Sequence, residues 1–197
     1  MEKIKKILLI YFLMPYAGFG QGIRLENMLS QISTNGEIAG FVENCFESKI
    51  FNKIPIIPPI LSSKGLNTSS KFGYRIHPIY HLPKFHAGID ITANETDTII
   101  STADGIIYQV GYQSGLGNFI IIQHQYGFMT LYGHLSEIFV VSKQPVRLGQ
   151  VIGLMGNSGT VTGKHLHYGT IKNGFYLNPF FMMYLFLKVP NQENSSN

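Results

Sequence analysis

The pattern of residues after Lys71 constrains the fold of this chain more than any other feature. Short apolar or β-branched runs follow one another there, separated by turns that contain glycine: GIIYQVGYQ, NFIIIQHQ, FMTLYGHLS, IFVVS, VIGLMGNS and HLHYGTIKN. Runs of this length and spacing are typical of antiparallel strands rather than βαβ units. The composition agrees, with 21 glycines, 14 Phe and 11 Tyr among 197 residues. We therefore predict an all-β domain.

The first 20 residues have the features of an export signal. Three lysines at positions 3, 5 and 6 precede an apolar run over residues 7–14, and Gly18 and Gly20 supply the small residues that a signal peptidase requires. The run is shorter than the roughly 20 residues that a membrane-spanning helix needs. We expect cleavage before Gln21 and a protein exported to the periplasm, cell envelope or medium, without a transmembrane span. The alternative is an uncleaved anchor or a buried helix.

Charge and cysteine content argue against several classes of function. The formal charge of +4 falls to +2 when three lysines and Glu2 leave with residues 1–20. Without a basic run or interleaved aromatic and basic residues, we expect no nucleic-acid partner. A single cysteine, Cys45, can form neither an internal disulfide nor a cysteine-based zinc site. It is better interpreted as a small buried hydrophobe than as a reactive thiol.

The character of the chain changes near residue 60. Before it, one set of apolar residues fits a helix face and another fits a helix or a short strand; the sets are Leu25, Met28, Leu29 and Ile32, and Ile38, Val42, Phe46 and Ile50. Prolines at 55, 58 and 59 then lead into a linker. We predict a signal peptide over residues 1–20, an N-terminal segment and linker over 21–63, the β domain over 64–182, and a C-terminal tail over 183–197. The N-terminal segment is expected to pack on the β domain.

Two histidine motifs contain a plausible set of metal ligands. On a strand, His165 and His167 point to the same face, roughly 6.6 Å apart. Upstream, His86 and Asp90 are separated by Ala87, Gly88 and Ile89, and the small residues allow a tight turn that brings both side chains together. Two imidazoles and a carboxylate are a good ligand set for zinc, with a fourth position left for water.

Neither histidine motif is specific by itself, and a rival interpretation exists for the glycines beside them. A lone His-x-His on a strand is usually an ordinary polar pair. The stretch GNSGTVTGKH could suggest a phosphate-binding loop, but Ser158 stands where that motif needs its first glycine, and His165 stands where it needs Ser or Thr. These glycines are therefore expected to form a turn beside a groove.

Several blocks taken together resemble one family. The segment from about Lys71 to Phe180 contains, in order, FGYRIHP, FHAGIDI, ADGIIYQVGY, GLGNFIIIQH, TLYGHLS, GQVIGLMGNSGTVTGKHLHYG and NPF. In these blocks and their order the chain resembles the lysostaphin/LytM family of zinc peptidoglycan endopeptidases. The resemblance implies an antiparallel two-sheet sandwich/barrel hybrid, which is a duplicated hybrid motif, with a groove and one zinc ion on its floor.

The resemblance also implies roles for individual residues. His86, Asp90 and His167 would hold the metal, His134 and His165 would be the catalytic pair that handles protons, and Tyr80 would donate a hydrogen bond to the reacting carbonyl. His77 and His124 are expected to be structural, and His81 could be a stray ligand. In some relatives an amino-terminal segment covers the groove, so residues 21–63 could do so here.

The chemistry of such a ligand set is hydrolysis. Zinc lowers the pKa of bound water from about 15.7 to about 7, which supplies a nucleophile at neutral pH. His134 or His165 could accept a proton and pass it to the leaving amine, and a protonated histidine or Tyr80 could stabilise the oxyanion. The expected substrate is peptidoglycan peptides. The alternatives are a scaffold of the same fold that activates other wall hydrolases and a module that binds the wall without cleavage; a regulatory partner is left open.

Overall fold

The computed structural model describes residues 29–34, 36–38, 48–60, 66–93 and 97–186. The predicted signal peptide, Cys45 and the helix positions Leu25, Met28, Val42 and Phe46 lie outside these ranges. Residues 29–31 and 36–38 are helical, and residues 125–127 form a 3₁₀ turn; the described ranges also contain twelve strands and two helices with defined bounds. These are α1 (Ser48–Phe51), β1 (Asn67–Ser70), β2 (Gly73–Ile76), β3 (Pro83–His86), β4 (Ile89–Thr92), β5 (Thr98–Ile100), β6 (Gly105–Gln113), β7 (Gly117–His124), β8 (Phe128–Ile138), β9 (Pro145–Val146), β10 (Val151–Met155), β11 (Leu166–Lys172), β12 (Phe175–Leu177) and α2 (Pro179–Phe186).

All strand pairs in the described chain are antiparallel, so the predicted all-β antiparallel class is confirmed. Ten strands form one sheet whose main path runs β1-β4-β11-β8-β7-β6-β9, while β10 pairs with β5 and β8, and β12 pairs with β11. The remaining two strands, β2 and β3, form a separate hairpin. Because β3 ends at His86 and β4 begins three residues later, the hairpin stands directly before the first candidate ligand.

The long strand β8 changes partners at His134. Gly133 pairs with His167 of β11, whereas Leu135 pairs with Met155 of β10. His134 lies between these two pairings with a φ of 62°, a backbone conformation that non-glycine residues rarely adopt. Its N–H donates to the carbonyl of Leu116 at 2.7 Å, which stabilises the irregular turn of the strand. The sheet therefore splits at a histidine that the family resemblance assigns to catalysis.

The main core is built from side chains of strands β4 to β11 of this branched sheet. Its largest fully buried side chains include Tyr132 of β8 and Tyr168 of β11, whose rings lie 5.3 Å apart. Burial raises the pKa of both phenols, and their hydroxyls reach Thr102 Oγ1 at 3.1 and 3.0 Å. The same core contains apolar residues of the neighbouring strands: Ile89, Ile91, Ile99, Ile107, Ile120, Ile122, Leu135, Val146, Ile152, Met155 and Leu166. The core thus fixes β4, β8 and β11, which carry most of the candidate site.

A second apolar cluster joins the N-terminal segment to the β domain. Leu29, Ile38, Ile50, Ile54 and Ile56 pack there against residues of β8, β12 and α2, namely Phe128, Leu177 and Met182. Helix α2 continues across the predicted boundary at residue 182, and its next residue, Met183, belongs to the main core. The expected packing of the N-terminal segment on the β domain is therefore present in its described residues.

Polar contacts hold the same segment at one end of β11. The buried Lys172 donates through Nζ to the carbonyls of Ser30 and Tyr126, and burial lowers its pKa to about 8. Asn173 donates through Nδ2 to the Ser30 carbonyl at 2.9 Å. His167 lies five residues earlier on β11, roughly 16 Å away along the strand. These contacts therefore lie at the opposite end of β11 from the candidate ligand.

None of the helices within the described ranges is long and apolar enough to cross a lipid bilayer.

Candidate metal centre

Three side chains converge on one small volume at the ends of β3, β4 and β11. His86 Nε2 lies 3.1 Å from Asp90 Oδ1, His167 Nδ1 lies 3.0 Å from the same oxygen, and the two nitrogens are 3.0 Å apart. All three residues are buried or nearly so. These are the residues that the sequence analysis expects to hold the metal, and the structure brings them together.

The strand register explains how residues so distant in sequence meet. Asp90 on β4 is directly opposite His167 on β11, and His86 arrives from the end of β3, four residues before Asp90. The connection passes through Gly88, which packs closely against the His167 ring and the backbone of Tyr168. A side chain at position 88 would occupy the space of the imidazole. The small residues of FHAGID are therefore needed for packing as well as for the turn.

The separations fit a zinc ion. Ligands placed tetrahedrally at about 2.1 Å from an ion are about 3.4 Å from one another, so these atoms need to separate by only about 0.4 Å. Two imidazoles and one carboxylate are a known catalytic ligand set that leaves a position open for water. Burial lowers the pKa of His167, which favours the neutral form that a metal requires. Burial alone would raise the pKa of Asp90, but hydrogen bonds to His167 and His86 hold it well below its ordinary value.

Backbone carbonyls fix the tautomers of three histidines around this volume. Nδ1 of His86 donates to the carbonyl of Lys71 at 2.8 Å, Nδ1 of His134 to that of Ser158 at 2.9 Å, and Nδ1 of His165 to that of Gly163 at 2.8 Å. In a neutral ring, each contact leaves Nε2 with a free lone pair. For His86 that nitrogen is the one facing Asp90 and His167. Orientation by the outer ring nitrogen is the usual arrangement around metal sites.

His134 and His165 form a second histidine pair beside the three candidate ligands. Their ring centres are 4.7 Å apart, and that of His134 is 6.0 Å from that of His167. Nε2 of His165 lies 3.7 Å from Asp90 Oδ1, which is beyond hydrogen-bond range. Burial lowers the pKa of His134 to about 4, so its ring is neutral at pH 7. The pair therefore lies where its ring nitrogens could exchange protons with a reactant at the metal.

Tyr80 is placed differently. It lies at the turn of the β2–β3 hairpin, 56% exposed, with its ring stacked on His77 at 4.5 Å and with Lys84 Nζ over its face at 5.8 Å. His77 Nδ1 accepts the backbone N–H groups of Ile79 and Tyr80, each at 3.2 Å. These contacts with His77 and Lys84 belong to the hairpin turn.

Arg75 is a residue at the site that the sequence analysis left without a role. Its Nη2 lies 3.3 Å from Asp90 Oδ2, the oxygen that does not face the histidines. In GYRI, strand alternation puts Arg75 on the opposite face from Tyr74 and Ile76, a pattern that ordinarily predicts a solvent-facing arginine. In the structure the two apolar residues are exposed and the arginine is half-buried. This inverted alternation indicates that the inward face of β2 needs a charge.

Comparisons with known proteins agree with this geometry. The model of peptidase family M23 matches residues 84–179. The DD-carboxypeptidase/endopeptidase Mpg of Neisseria meningitidis is 46% identical over 111 residues, covering 56% of this chain and 26% of that protein. The peptidoglycan DD-endopeptidase ShyA of Vibrio cholerae is 39% identical over 130 residues, covering 66% of this chain and 29% of that protein. The chain therefore spans little more than a quarter of the length of these curated relatives.

One solved catalytic domain is matched over almost its whole length. The catalytic domain of the prophage-encoded M23 protein EnpA from Enterococcus faecalis matches with a TM-score of 0.53 and 32% identity, over 64% of this chain and 95% of that one. The matched family segment contains the three candidate ligands and both histidines of the second pair. The resemblance found in the sequence is confirmed: this chain belongs to peptidase family M23.

Proposed function

We propose that this protein is an exported zinc metalloendopeptidase that hydrolyses peptide cross-links of bacterial peptidoglycan. The observation that carries the proposal is the triangle of His86 Nε2, Asp90 Oδ1 and His167 Nδ1, with sides of 3.0–3.1 Å, and the His134–His165 pair beside it. A scaffold that had lost catalysis would have no need for both groups together. The relatives' names, which include an endopeptidase and a peptidoglycan endopeptidase, support the substrate class.

His86, Asp90 and His167 would hold the ion, one carboxylate and two neutral imidazoles being the donors. When bound, zinc would supply Lewis acidity toward the peptide carbonyl and lower the pKa of a water molecule at the open position. The carbonyls of Lys71, Ser158 and Gly163 would keep His86, His134 and His165 in the required tautomers. These three orienting groups belong to the backbone, so their geometry depends on the fold and not on side-chain identity.

His134 and His165 would handle the protons of the reaction. Because His134 is neutral at pH 7 with Nδ1–H held by Ser158, its Nε2 is available to accept a proton from the attacking water. Its depressed pKa means that the proton is readily released, as is needed when the C–N bond breaks and the amine leaves. His165, with the same tautomer, would hydrogen-bond the developing oxyanion or share the proton transfer. Tyr80, exposed on the hairpin turn, would be a further donor of a hydrogen bond to the reacting carbonyl.

The decisive experiment uses the whole chain and defined cross-linked muropeptides. We expect new amino groups and smaller fragments to appear with one equivalent of zinc, to disappear after chelation, and to return when zinc is restored. Asp90→Asn is the matched control because it keeps the size of the side chain and weakens the ligand. Binding of muropeptides without cleavage would indicate a wall-binding module, and neither binding nor cleavage would indicate a scaffold; either result would overturn the proposal.

Export is part of the proposal and has its own test. The positive n-region, the apolar run and the small residues of positions 1–20 support it. Expression of the full chain in a bacterial host, followed by fractionation and N-terminal sequencing, should give a mature protein that begins at Gln21 in the envelope or medium. Recovery of the uncleaved chain from the cytoplasm would contradict export and leave the catalytic proposal untouched.

A further inference from the structure

The two carboxylate oxygens of Asp90 have different partners. Oδ1 faces both histidine nitrogens at 3.0–3.1 Å, whereas Oδ2 lies 3.3 Å from Arg75 Nη2. The carboxylate side chain is only 10% exposed, so little solvent competes for the second oxygen. The backbone of Asp90 is also fixed, because it pairs with Ser70 on one side and His167 on the other. The orientation of the carboxylate about its own axis is left to the side-chain contacts.

Arg75 reaches this oxygen from a separate structural unit. It lies on β2, opposite Lys84 of β3, in the hairpin whose last residue is His86. Its side chain is 29% exposed, whereas the neighbouring Tyr74 and Ile76 point outward. Lys84, the paired cation, lies instead over the ring of Tyr80. Two cations are therefore paired across one hairpin: Arg75 contacts the Asp90 carboxylate, and Lys84 contacts the Tyr80 ring.

We propose that Arg75 is a positioning residue that keeps Asp90 a one-oxygen ligand of the metal. A carboxylate can bind a metal through one oxygen or through both. If both oxygens of Asp90 bound, the second would occupy the open position that the reacting water needs. By holding Oδ2, the guanidinium prevents this rotation and keeps the site four-coordinate. The inference rests on the proposed metal site, and it adds a residue that acts through Asp90 without touching the substrate.

The experiment measures metal binding in the full chain, with Arg75→Ala, Arg75→Lys and, as a matched control, Lys84→Ala. The control removes one positive charge from the paired position of the same hairpin. Zinc affinity is measured by chelator competition, and the chain loaded with Co²⁺ is examined by visible absorption, which weakens when the coordination number rises from four to five. Thermal unfolding of each metal-free variant establishes that it is folded.

We expect Arg75→Ala to lose 10- to 100-fold in zinc affinity, as is typical when a group that orients a metal ligand is removed. Its Co²⁺ spectrum should change from the four-coordinate to the five-coordinate form, whereas Lys84→Ala should resemble the parent chain in both measurements. Arg75→Lys should recover part of the affinity, since a lysine keeps the charge and lacks the planar fork of donors. The difference in zinc affinity between Arg75→Lys and the parent chain therefore measures what the geometry of the guanidinium adds to its charge.

Two results would overturn the inference. One is a loss in Arg75→Ala of less than tenfold together with an unchanged Co²⁺ spectrum; the other is an equal loss in Lys84→Ala. Both can be recognised without any measurement of hydrolysis. If the parent chain binds Co²⁺ in four-coordinate form and does not cleave muropeptides, the proposed function fails and the role of Arg75 stands. If the parent chain cleaves and Arg75→Ala binds metal normally, the role of Arg75 fails alone.

Discussion

Gly88 lies against the imidazole of His167 so closely that a methyl group on residue 88 would be 2.9 Å from Cε1 and 3.0 Å from Nε2 of that ring. The carbonyl oxygen of Tyr168 would be closer still to that methyl group. Gly88 does not have a positive φ, so glycine is required here by the position of a neighbouring metal ligand and not by the backbone conformation. The relationship connects the FHAGID and HLHYG motifs physically.

Gly88→Ala should weaken metal binding while leaving the ligands chemically intact. The added methyl group would collide first with the Tyr168 carbonyl oxygen and then with the His167 ring, so strand β11 or the ring must shift, and a shift of a few tenths of an ångström is enough to disturb the coordination geometry. We expect at least a tenfold loss of zinc affinity and of kcat/KM, measured by chelator competition and muropeptide cleavage. Gly115→Ala is the control, because no atom lies within 4 Å of the position its methyl group would take. Equal behaviour of the two variants would contradict the packing argument.

His134→Ala and Asp90→Ala should separate proton transfer from metal binding. We expect His134→Ala to retain about one zinc per chain and to lose about 10²- to 10⁴-fold in turnover, the usual contribution of a general acid or base. Asp90→Ala should lose the metal, because it removes the carboxylate that faces both histidines. Metal content after dialysis and turnover at saturating zinc are the two measurements. A zinc-free His134→Ala protein would show that the division of roles is wrong.

His124 should make stability depend on pH between about 6.5 and 4. It is buried, its Nδ1 donates to the Asp104 carbonyl at 2.9 Å, and burial lowers its pKa to about 4. The unfolded chain therefore binds this proton more readily than the folded chain. The free energy of unfolding should fall as the pH drops from about 6.5 to about 4, by about 3 kcal/mol in total from this residue.

The measurement is urea unfolding of the metal-free chain at several pH values, in parallel with His124→Gln. The variant keeps a hydrogen-bond donor and cannot titrate, so its stability should fall less steeply over this range. Chelator is present throughout, because release of metal at low pH would add its own pH dependence. Parallel curves for the two proteins would show that His124 is not the group responsible.

Ile54→Ala should test whether the N-terminal segment is part of the folded unit. Ile54 is fully buried in the cluster that contains Phe128 and Met182. Truncation of a buried isoleucine typically costs about 2 to 5 kcal/mol. Ile106→Ala, at a position 53% exposed on β6, should change stability by no more than about 0.5 kcal/mol. A near-zero effect of Ile54→Ala in urea unfolding would show that the cluster contributes nothing to the stability of the domain.

The strands could be predicted from local sequence pattern, and so could the two motifs that contain His86, Asp90 and His167. Short apolar runs determine strands, and alternation puts His165 and His167 on one face. The position of His134 was obtained from the family resemblance alone. The location of His134 beside the other histidines depends on the change of strand partners between Gly133 and Leu135. That change is a consequence of sheet topology and leaves no periodic signal in the sequence.

Arg75 and Lys172 show a second limit of sequence reasoning. Each is a charged residue whose role depends on an oxygen distant in the chain: Asp90 Oδ2 for Arg75, and the Ser30 carbonyl, 142 residues away, for Lys172. An isolated basic residue on a strand is ordinarily a solvent-facing side chain, so pattern alone favours that interpretation. The inverted exposure of GYRI, which reveals the role of Arg75, is visible only in the structure. No comparable pattern marks Lys172.

The packing of Phe128, Leu177 and Met182 against Leu29, Ile38, Ile50, Ile54 and Ile56 bears on how the protein can be produced for experiments. A recombinant fragment that began only at residue 66 would expose these apolar side chains to water and leave the buried amine of Lys172 without the Ser30 carbonyl. Such a fragment would be prone to aggregate during purification. Its low yield would then reflect a missing cover and not a defect of the catalytic machinery.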